Sequence, residues 1–185
     1  MIQNLIPDYI YNSIYDIPVE LFEMRGIRGV IFDIDNTLVP YDVIAPTQRV
    51  TKWLQGLLDA KIKIAFVSNN SRDRVERFAR DVQSFCFHKS HKPSPRTIIK
   101  AIGIMGLERR SVAMIGDQIF TDVLAAKRAG IISIMVKPIT LKHENLFIKT
   151  KRKFEKPFIY AYNKREGILA IKKANKKKKI KIYAE

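Results

Sequence analysis

Four short apolar runs, separated by amphipathic segments, constrain the fold of this 185-residue chain more than any other feature. Each run is almost continuous and rich in β-branched residues, which is typical of strands that are buried on both faces. A shorter run, "SFCFHK" (84–89), is a further strand candidate. The four longer runs are "RGVIFD" (28–33), "KIKIAFVS" (61–68), "SVAMIGD" (111–117) and "IISIMVKP" (131–138).

The segments between these runs have helical periodicity. Residues 45–60 place apolar side chains at helical spacing, and residues 71–81 are a charged segment with one apolar face. Residues 94–105 begin with Ser-Pro, and residues 119–130 end in Lys, Arg and Gly, which are helix boundary signals. This strand–helix repetition predicts an α/β fold, with a mostly parallel central sheet of about five strands and helices on both faces.

Polar side chains stand at or just after the carboxyl ends of these predicted strands. Ligands bind at this edge of open α/β sheets, so side chains from several strand ends can meet there in one crevice. A solvated loop explains one such residue, but it does not explain complementary groups after four strands. These residues are Asp33 and Asp35, then Ser68, Asn69 and Asn70, then Lys92, and finally Asp117 with Asp122.

Each of these residue types has a physical role in phosphoryl transfer. A phosphomonoester carries about two negative charges at neutral pH, so it repels an attacking carboxylate unless a cation intervenes. Magnesium takes oxygen ligands, which Asp33 and Asp117 offer. A lysine and a serine hydroxyl can stabilise phosphoryl oxygens, and Lys92 and Ser68 are candidates. One aspartate can attack as a nucleophile while a second serves as general acid and then base.

In their order along the chain, these groups resemble the four motifs of the haloacid dehalogenase-like (HAD) phosphohydrolases. "VIFDIDNTLV" (30–39) resembles the DxDxT signature of that family, and "IAFVSNN" (64–70) its hydroxyl-bearing second motif. Lys92 in "HKP" resembles the lysine motif, and "IGDQIFTD" (115–122) the GDxxxxD acidic motif. The resemblance covers residues 28–137 and implies a Rossmann-like fold with a Mg²⁺-dependent phosphatase site.

The resemblance also implies a role for each matching residue. Asp33 would be the nucleophile and a Mg²⁺ ligand, and Asp35 would be the acid/base, with its backbone carbonyl on the metal. Asp117 would be the acidic metal ligand, and Asp122 a nearby supporting residue. Asp33 favours phosphatases over dehalogenases and phosphonate-cleaving members, and Asp35 disfavours ATPase-like members. The implied phosphate-binding residues are Thr37, Ser68, Asn69 and Lys92, of which Lys92 would also pair with the carboxylates and be catalytic.

Motif spacing leaves no room for a cap domain, the insertion that usually sets substrate selectivity in the HAD family. Asp33 and Ser68 are 35 residues apart, and Ser68 and Lys92 are 24 apart. A domain needs about 50 residues or more, so the site is expected to be open. An open site suits a phosphate on something large, such as a lipid headgroup, a protein or a nucleic-acid end. Small metabolites remain candidates if an oligomer supplies a lid.

The stretch around the first motif narrows the resemblance. Residues 5–42, from "LIPDYIYNSIYD" to "LVPYD", look like the YqeG-like branch of the capless HAD subclass. That branch is similar to phosphatidylglycerophosphate phosphatases, which remove the terminal phosphate of that lipid precursor. The resemblance therefore implies a phosphorylated substrate with a phospholipid headgroup.

Positive charge is concentrated at the C-terminus of a chain whose formal net charge is +16. Residues 151–185 contain 13 Lys or Arg against three Glu, which predicts a basic tail beyond a core at residues 28–150. Such a tail suits an anionic membrane surface or nucleic acid, or it only aids solubility. Its lysine-rich end fits a basic helix, an edge strand or a frayed tail.

The first 27 residues carry apolar side chains at four-residue spacing. Ile6, Ile10 and Ile14 predict an apolar helical segment packed on the core, with a membrane-contacting helix as the alternative. No secretory leader and no apolar run of about 20 residues is visible in the sequence. A single cysteine, Cys86, is compatible with a reducing compartment. These features predict a cytoplasmic protein that can act at the membrane periphery.

Two other functions compete with lipid dephosphorylation. One is a phosphatase for nucleic-acid ends or phosphoproteins, with the basic tail as a nucleic-acid arm. The other is a non-catalytic adaptor that binds nucleic acid or ribosomes through its charge. The complete set of catalytic residue types argues against the adaptor, because a binding module has no evident need for them. The sequence leaves the substrate and the oligomeric state open.

Overall fold

Six parallel strands form one central sheet in a computed structural model that describes residues 2–142, 144 and 146–182. Side chains are described for residues 3–142, 144 and 146–167. The strands are β1 (Tyr9–Tyr11), β2 (Gly29–Phe32), β3 (Lys63–Val67), β4 (Phe85–Phe87), β5 (Val112–Gly116) and β6 (Ile132–Val136). Their spatial order is β1–β6–β5–β2–β3–β4, and every neighbouring pair is parallel. The five predicted strands are confirmed, and β1 is an additional sixth.

Helices cover both faces of the sheet, as the sequence predicted. Phe22, Leu54 and Phe78 belong to the core on one face, and Ile98 and Ala126 to the core on the other. The helices are α1 (Val19–Met24), α2 (Gln48–Asp59), α3 (Arg72–Ala79), α4 (Arg96–Met105), α5 (Leu124–Ala129) and α6 (Leu146–Ile182).

Local capping explains where these helices begin and end. The hydroxyl groups of Thr47 and Ser71 accept the backbone N–H of the third residue that follows them, which caps α2 and α3. Gly130 ends α5 in the left-handed conformation, as expected of a helix stop. A π-helical turn at Ile119–Val123 leads directly into α5. The helix predicted at 94–105 begins at Arg96, because Pro95 takes the flanking position.

The prediction of a helical segment over the first 27 residues was wrong for most of its length. Ile10 lies in β1, which pairs with β6 at the edge of the sheet, and only α1 is α-helical in this segment. Ile14 is buried in the main core, and Ile10 packs beside Ile119 and Met135. Pairing with the free edge of β6 satisfies backbone groups that a helix would satisfy internally, so tertiary context overrides the four-residue spacing.

The basic C-terminal region is helical and packs partly against the sheet edge. α6 begins at Leu146, and its backbone is helical through Ile182, which matches the helix among the three predicted alternatives. The Ile10 backbone N–H donates to the Tyr162 hydroxyl at 3.2 Å, and Phe158 packs edge-on against Phe120. Residues 183–185 of the predicted tail lie outside the described residues. Among the described helices, none is long and apolar enough to cross a membrane.

The intervals between the motifs contain no inserted domain. Residues 33–92, all of which are described, contain only α2, β3, α3 and β4 with their loops. The spacing argument is confirmed on this point. The start of α6 nevertheless lies beside the carboxyl ends of the strands. A segment outside the four motifs therefore also contributes to the site.

Candidate active site

Lys92 bridges two carboxylates beyond the end of β2. Asp33 is the first residue after this strand, and its backbone N–H still donates to the Ile115 carbonyl at 2.9 Å. The Lys92 ammonium lies 2.6 Å from Asp33 Oδ1 and 2.8 Å from Asp122 Oδ1. All three charged side chains are buried. Residues from three separate motifs thus form one compact ion-pair network.

Asn69 holds the loop that carries Lys92. Its amide oxygen accepts the Lys92 backbone N–H and the Ser90 hydroxyl, each at 2.7 Å, and its amide nitrogen donates to the Lys92 carbonyl at 3.1 Å. Ser68 is buried just after β3, and its hydroxyl accepts the Asn70 N–H at 3.1 Å. Asn69 therefore positions Lys92, while the phosphate contacts of Asn69 and Ser68 stay predictions.

Three buried carboxylates form a cluster at this edge of the sheet. Oxygen atoms of Asp33, Asp117 and Asp122 all lie within 4.8 Å of one another. Asp117 also accepts the hydroxyl of Thr37 at 3.3 Å, which places Thr37 beside the cluster. Gly116 allows this packing, because a Cβ atom there would lie 2.4 Å from the Asp122 Cβ. Asp122 thus joins the predicted metal ligands, whereas the sequence suggested only a supporting role for it.

Burial and like charges raise the pKa values of two members of this cluster. Burial raises the pKa of Asp33 to about 7, with Lys92 opposing the rise and Asp122 adding to it. Burial likewise raises the pKa of Asp117 well above its usual range, and the charges of Asp122 and Asp33 add to the effect. Burial alone would lower the pKa of Lys92, but its two carboxylate partners raise it above its ordinary value. The lysine therefore stays protonated beside its two carboxylate partners.

The donor set of this cluster fits a hard divalent cation. Mg²⁺ prefers oxygen ligands, and Asp33, Asp117 and Asp122 would supply them. Burial, together with neighbouring carboxylates, raises the pKa values of Asp33 and Asp117, and a bound cation would favour their charged forms. Among the described residues, no His or Cys belongs to this cluster, as a zinc site would favour. A bound Mg²⁺ would offset the charge between a phosphate and the carboxylates.

Asp35 has a different environment from Asp33, although both line the same pocket. Arg74 donates to Asp35 Oδ1 through Nη2 at 2.9 Å and through Nε at 3.2 Å, and the Asn70 amide donates to Oδ2 at 3.3 Å. The Asp35 carboxylate is therefore outside the carboxylate cluster. Its implied metal contact, through the backbone carbonyl, and its implied acid/base role stay predictions.

A second charged group reaches the site from α6, and sequence reasoning missed it. Arg152 forms ion pairs with Asp117 and Glu144, and its Nη1 donates to the Asp117 carbonyl at 3.1 Å. Glu144 also accepts the Asn36 amide at 3.2 Å, and Glu155 accepts the Ile119 N–H at 2.7 Å. Arg152, Glu144 and Glu155 lie outside the four motifs. In the sequence they are only charged residues in a lysine-rich segment. Such a composition does not show which side chains are buried.

The first turns of α6 also line the pocket above the carboxylates. Phe147, Ile148 and Lys151 face the same pocket as Asp33 and Ser68. Although no domain is inserted between the motifs, one side of the pocket is formed by a helix that follows the last strand.

Comparison with known proteins identifies the family. A model described as haloacid dehalogenase-like hydrolase matches residues 40–130. The Bacillus subtilis protein named "Probable phosphatase YqeG" is 32% identical over 162 residues, which are 88% of this chain and 93% of that protein. This chain belongs to the haloacid dehalogenase-like hydrolases and is a phosphatase of that family.

Two further comparisons agree with this assignment. Phosphatidylglycerophosphate phosphatase 1 of Arabidopsis thaliana is 24% identical over 168 residues, which are 83% of this chain and 47% of that protein. The cobalt-bound deoxy-D-mannose-octulosonate 8-phosphate phosphatase of Haemophilus influenzae superposes with a TM-score of 0.51 at 18% identity, over 76% of this chain and 92% of that one. At this identity, the second comparison supports the fold alone.

Proposed function

We propose that this protein is a Mg²⁺-dependent phosphomonoesterase that acts through an aspartyl-phosphate on Asp33. The contact between Lys92, Asp33 and Asp122 beside Asp117 is the observation that carries this proposal. In the proposed mechanism, Asp33 is the carboxylate that attacks and Lys92 is the cation for the phosphoryl oxygens. The clustered carboxylates would supply the oxygen ligands for Mg²⁺. Ser68 and Thr37 would add hydroxyl contacts to the phosphate.

The proposed reaction has two displacements. An oxygen of Asp33 attacks phosphorus, the bond from phosphorus to the leaving oxygen breaks, and Asp35 donates a proton to that oxygen. Water then attacks the phosphorus of phospho-Asp33, Asp35 accepts a proton from it, and inorganic phosphate leaves with Asp33 restored. Arg74 orients the Asp35 carboxylate at the pocket wall.

We propose phosphatidylglycerophosphate as the substrate. The similarity to the Arabidopsis phosphatase supports this headgroup, and the absence of an inserted domain in residues 33–92 leaves room for a phosphate on a large molecule. The positive charge of residues 151–185 suits an anionic bilayer, where each Lys or Arg near the surface contributes about 1 kcal/mol. The protein would then work in the cytoplasm, at the periphery of a membrane.

Phosphate release from a substrate panel tests this function. The panel contains phosphatidylglycerophosphate in mixed micelles, a 5′-phosphorylated oligonucleotide, a phosphopeptide and a sugar phosphate, each with Mg²⁺ or with EDTA. We expect the fastest Mg²⁺-dependent release from the lipid. Release that is equal with EDTA contradicts the metal requirement, and release from none of the four contradicts the phosphatase proposal.

A second candidate function is dephosphorylation of nucleic-acid ends, and the net charge of +16 favours it. A preference for the oligonucleotide in the same panel would replace the lipid with this substrate. The phosphopeptide tests phosphoproteins in the same way. Binding of nucleic acid or ribosomes with no hydrolysis of any panel member would instead favour the non-catalytic adaptor.

A further inference from the structure

Several large apolar side chains at or near the mouth of the active-site pocket are exposed. They come from two segments, residues 41–44 and residues 139–147. Leu146 is 83% exposed and Phe147 is 67% exposed, whereas side chains of this kind are usually buried. We call the exposed set the apolar rim; it consists of Tyr41, Ile44, Ile139, Leu141, Leu146 and Phe147.

Hydrogen bonds to site residues hold both segments of the apolar rim beside the pocket. The Ile139 backbone N–H donates to the Asn36 carbonyl at 3.0 Å. Arg74, which pairs with Asp35, also donates to the Ile44 carbonyl at 2.7 Å. Tyr41 and Phe147 line the pocket themselves. The position of the apolar rim is therefore tied to the position of the catalytic residues.

The charges next to the apolar rim are mostly positive. Between residues 139 and 153 the chain contains Lys142, Lys149, Lys151 and Lys153 as well as Arg152. The only acidic residue in this range is Glu144, which is buried and paired with Arg152. Asp42 is an exposed acid on the opposite segment. Outward-facing apolar residues beside lysines are typical of surfaces that lie in the interface of an anionic bilayer.

We propose that the apolar rim is a docking surface that inserts into the interface of an anionic lipid bilayer. This inference deepens the proposed function and rests on it, since docking here would turn the pocket mouth toward the headgroups. A headgroup phosphate would then reach Asp33 without leaving the membrane surface. The basic end of α6 adds attraction, but the apolar rim sets the orientation.

Vesicle binding of rim variants tests the proposal. The full-length chain and Leu141→Ser/Leu146→Ser are sedimented with vesicles of phosphatidylglycerol and phosphatidylcholine, and with pure phosphatidylcholine. We expect the double variant to bind anionic vesicles at least about tenfold more weakly, because two large side chains no longer leave water. Both leucines are exposed, so folding should be retained, as a thermal melt would report.

Ile104→Ser is the matched control. Ile104 is an exposed apolar residue on α4. The backbone carbonyl of its neighbour Met105 accepts a hydrogen bond from the Lys63 ammonium at 2.6 Å, beside the start of β3. Ile104 therefore lies near the amino ends of the strands, whereas the pocket lies at their carboxyl ends. The control should bind vesicles as the unmodified chain does. Lys142→Glu/Lys149→Glu is a second test at the rim, with an expected loss of binding that is larger at low salt.

The outcomes separate docking from catalysis. Weaker vesicle binding by both rim variants, with the control unchanged, supports the docking surface. Three results would overturn it: no vesicle binding by the unmodified chain, equal binding by the leucine variant, or a rim-dependent dimer in solution with unchanged vesicle binding.

Hydrolysis of a small soluble phosphomonoester is measured in parallel and should be equal in the leucine variant and the control. If rim-dependent binding occurs without any hydrolysis, the docking surface stands and the phosphatase proposal fails.

Discussion

Two charged groups meet at Asp117, and they differ in origin and in what they can do. The strand-end group is Lys92 with Asp33 and Asp122, and it faces the pocket. The α6 group is Arg152 with its carboxylate partners, and it approaches Asp117 from the C-terminal helix. Both groups bury charge, but only the strand-end group combines a nucleophile candidate with a fixed cation.

The two groups also differ in their access to solvent and in their charged partners. Asp117 lacks any solvent exposure, so its charge needs a partner, and Arg152 provides one. Lys92 compensates the other two carboxylates at the point where a phosphate would enter. We infer that the strand-end group determines turnover, whereas the α6 group determines the stability of the site.

Lys92→Met should give the larger loss of turnover. It removes the cation that contacts Asp33 and that would, in the proposed mechanism, stabilise the phosphoryl oxygens, so we expect phosphate release to fall by about 10²–10³-fold. It also leaves two buried carboxylates without their partner, at a cost of about 3–5 kcal/mol in the free energy of unfolding. Steady-state kinetics and denaturant unfolding measure the two effects.

The control for this variant is Lys100→Met, because Lys100 is exposed on α4. It should change neither quantity appreciably. Turnover in Lys92→Met that equals that of the control would remove Lys92 from the catalytic machinery.

Arg152→Met should mainly lower stability. The substitution leaves Glu144 and Asp117 without their shared cation, so we expect the free energy of unfolding to fall by about 3–5 kcal/mol. Turnover of the folded fraction should fall less than in Lys92→Met. Lys153→Met, at the exposed neighbouring position, is the control and should behave like the unmodified chain. A loss of turnover as large as that of Lys92→Met, at unchanged stability, would contradict the division.

The smallest expected effect per step is the change in stability with each pH unit. The pKa of Asp33 is raised in the folded state to about 7, so the folded protein binds more protons than the unfolded chain between about pH 4 and pH 7. Stability without added metal should therefore fall as pH rises through this window, by at most about 1.4 kcal/mol per pH unit from this group. Denaturant unfolding at several pH values measures the slope.

Asp33→Asn should reduce this slope, because the variant cannot titrate at that position, whereas Asp117, whose pKa burial also raises, still can. Mg²⁺ should also reduce it, since a cation at the cluster favours the charged carboxylate. A slope in Asp33→Asn equal to that of the unmodified chain, without metal, would show that Lys92 compensates Asp33 more fully than its burial suggests.

The sequence predicted the strand-end group because each of its residues follows a buried strand within a few positions. Parallel strands align their carboxyl ends, so Asp33, Ser68 and Asp117 must lie at one edge once the strands are recognised. The contact of Arg152 with Asp117 depends on the path of the chain after β6, over which the sequence shows no periodic pattern. The three-residue strand β1 was missed for a similar reason, since it exists only through its pairing with β6.

The role of Asp122 could be predicted from the sequence only in part. Its place in the acidic motif was visible, but its contact with Lys92 depends on the π-helical turn and on the close approach that Gly116 allows. Sequence spacing predicts that a residue is near a site. It does not predict which of several carboxylates forms the ion pair with the lysine.

Turnover of Asp33→Asn tests the central claim most directly. Phosphate release by this variant and by the unmodified chain is compared on the best substrate of the panel, with Mg²⁺, and folding is checked by thermal melting. An amide cannot form the covalent phosphate, so the account predicts a loss of at least about 10⁴-fold with the fold retained. Phosphate release by a folded Asp33→Asn protein at the rate of the unmodified chain would contradict it.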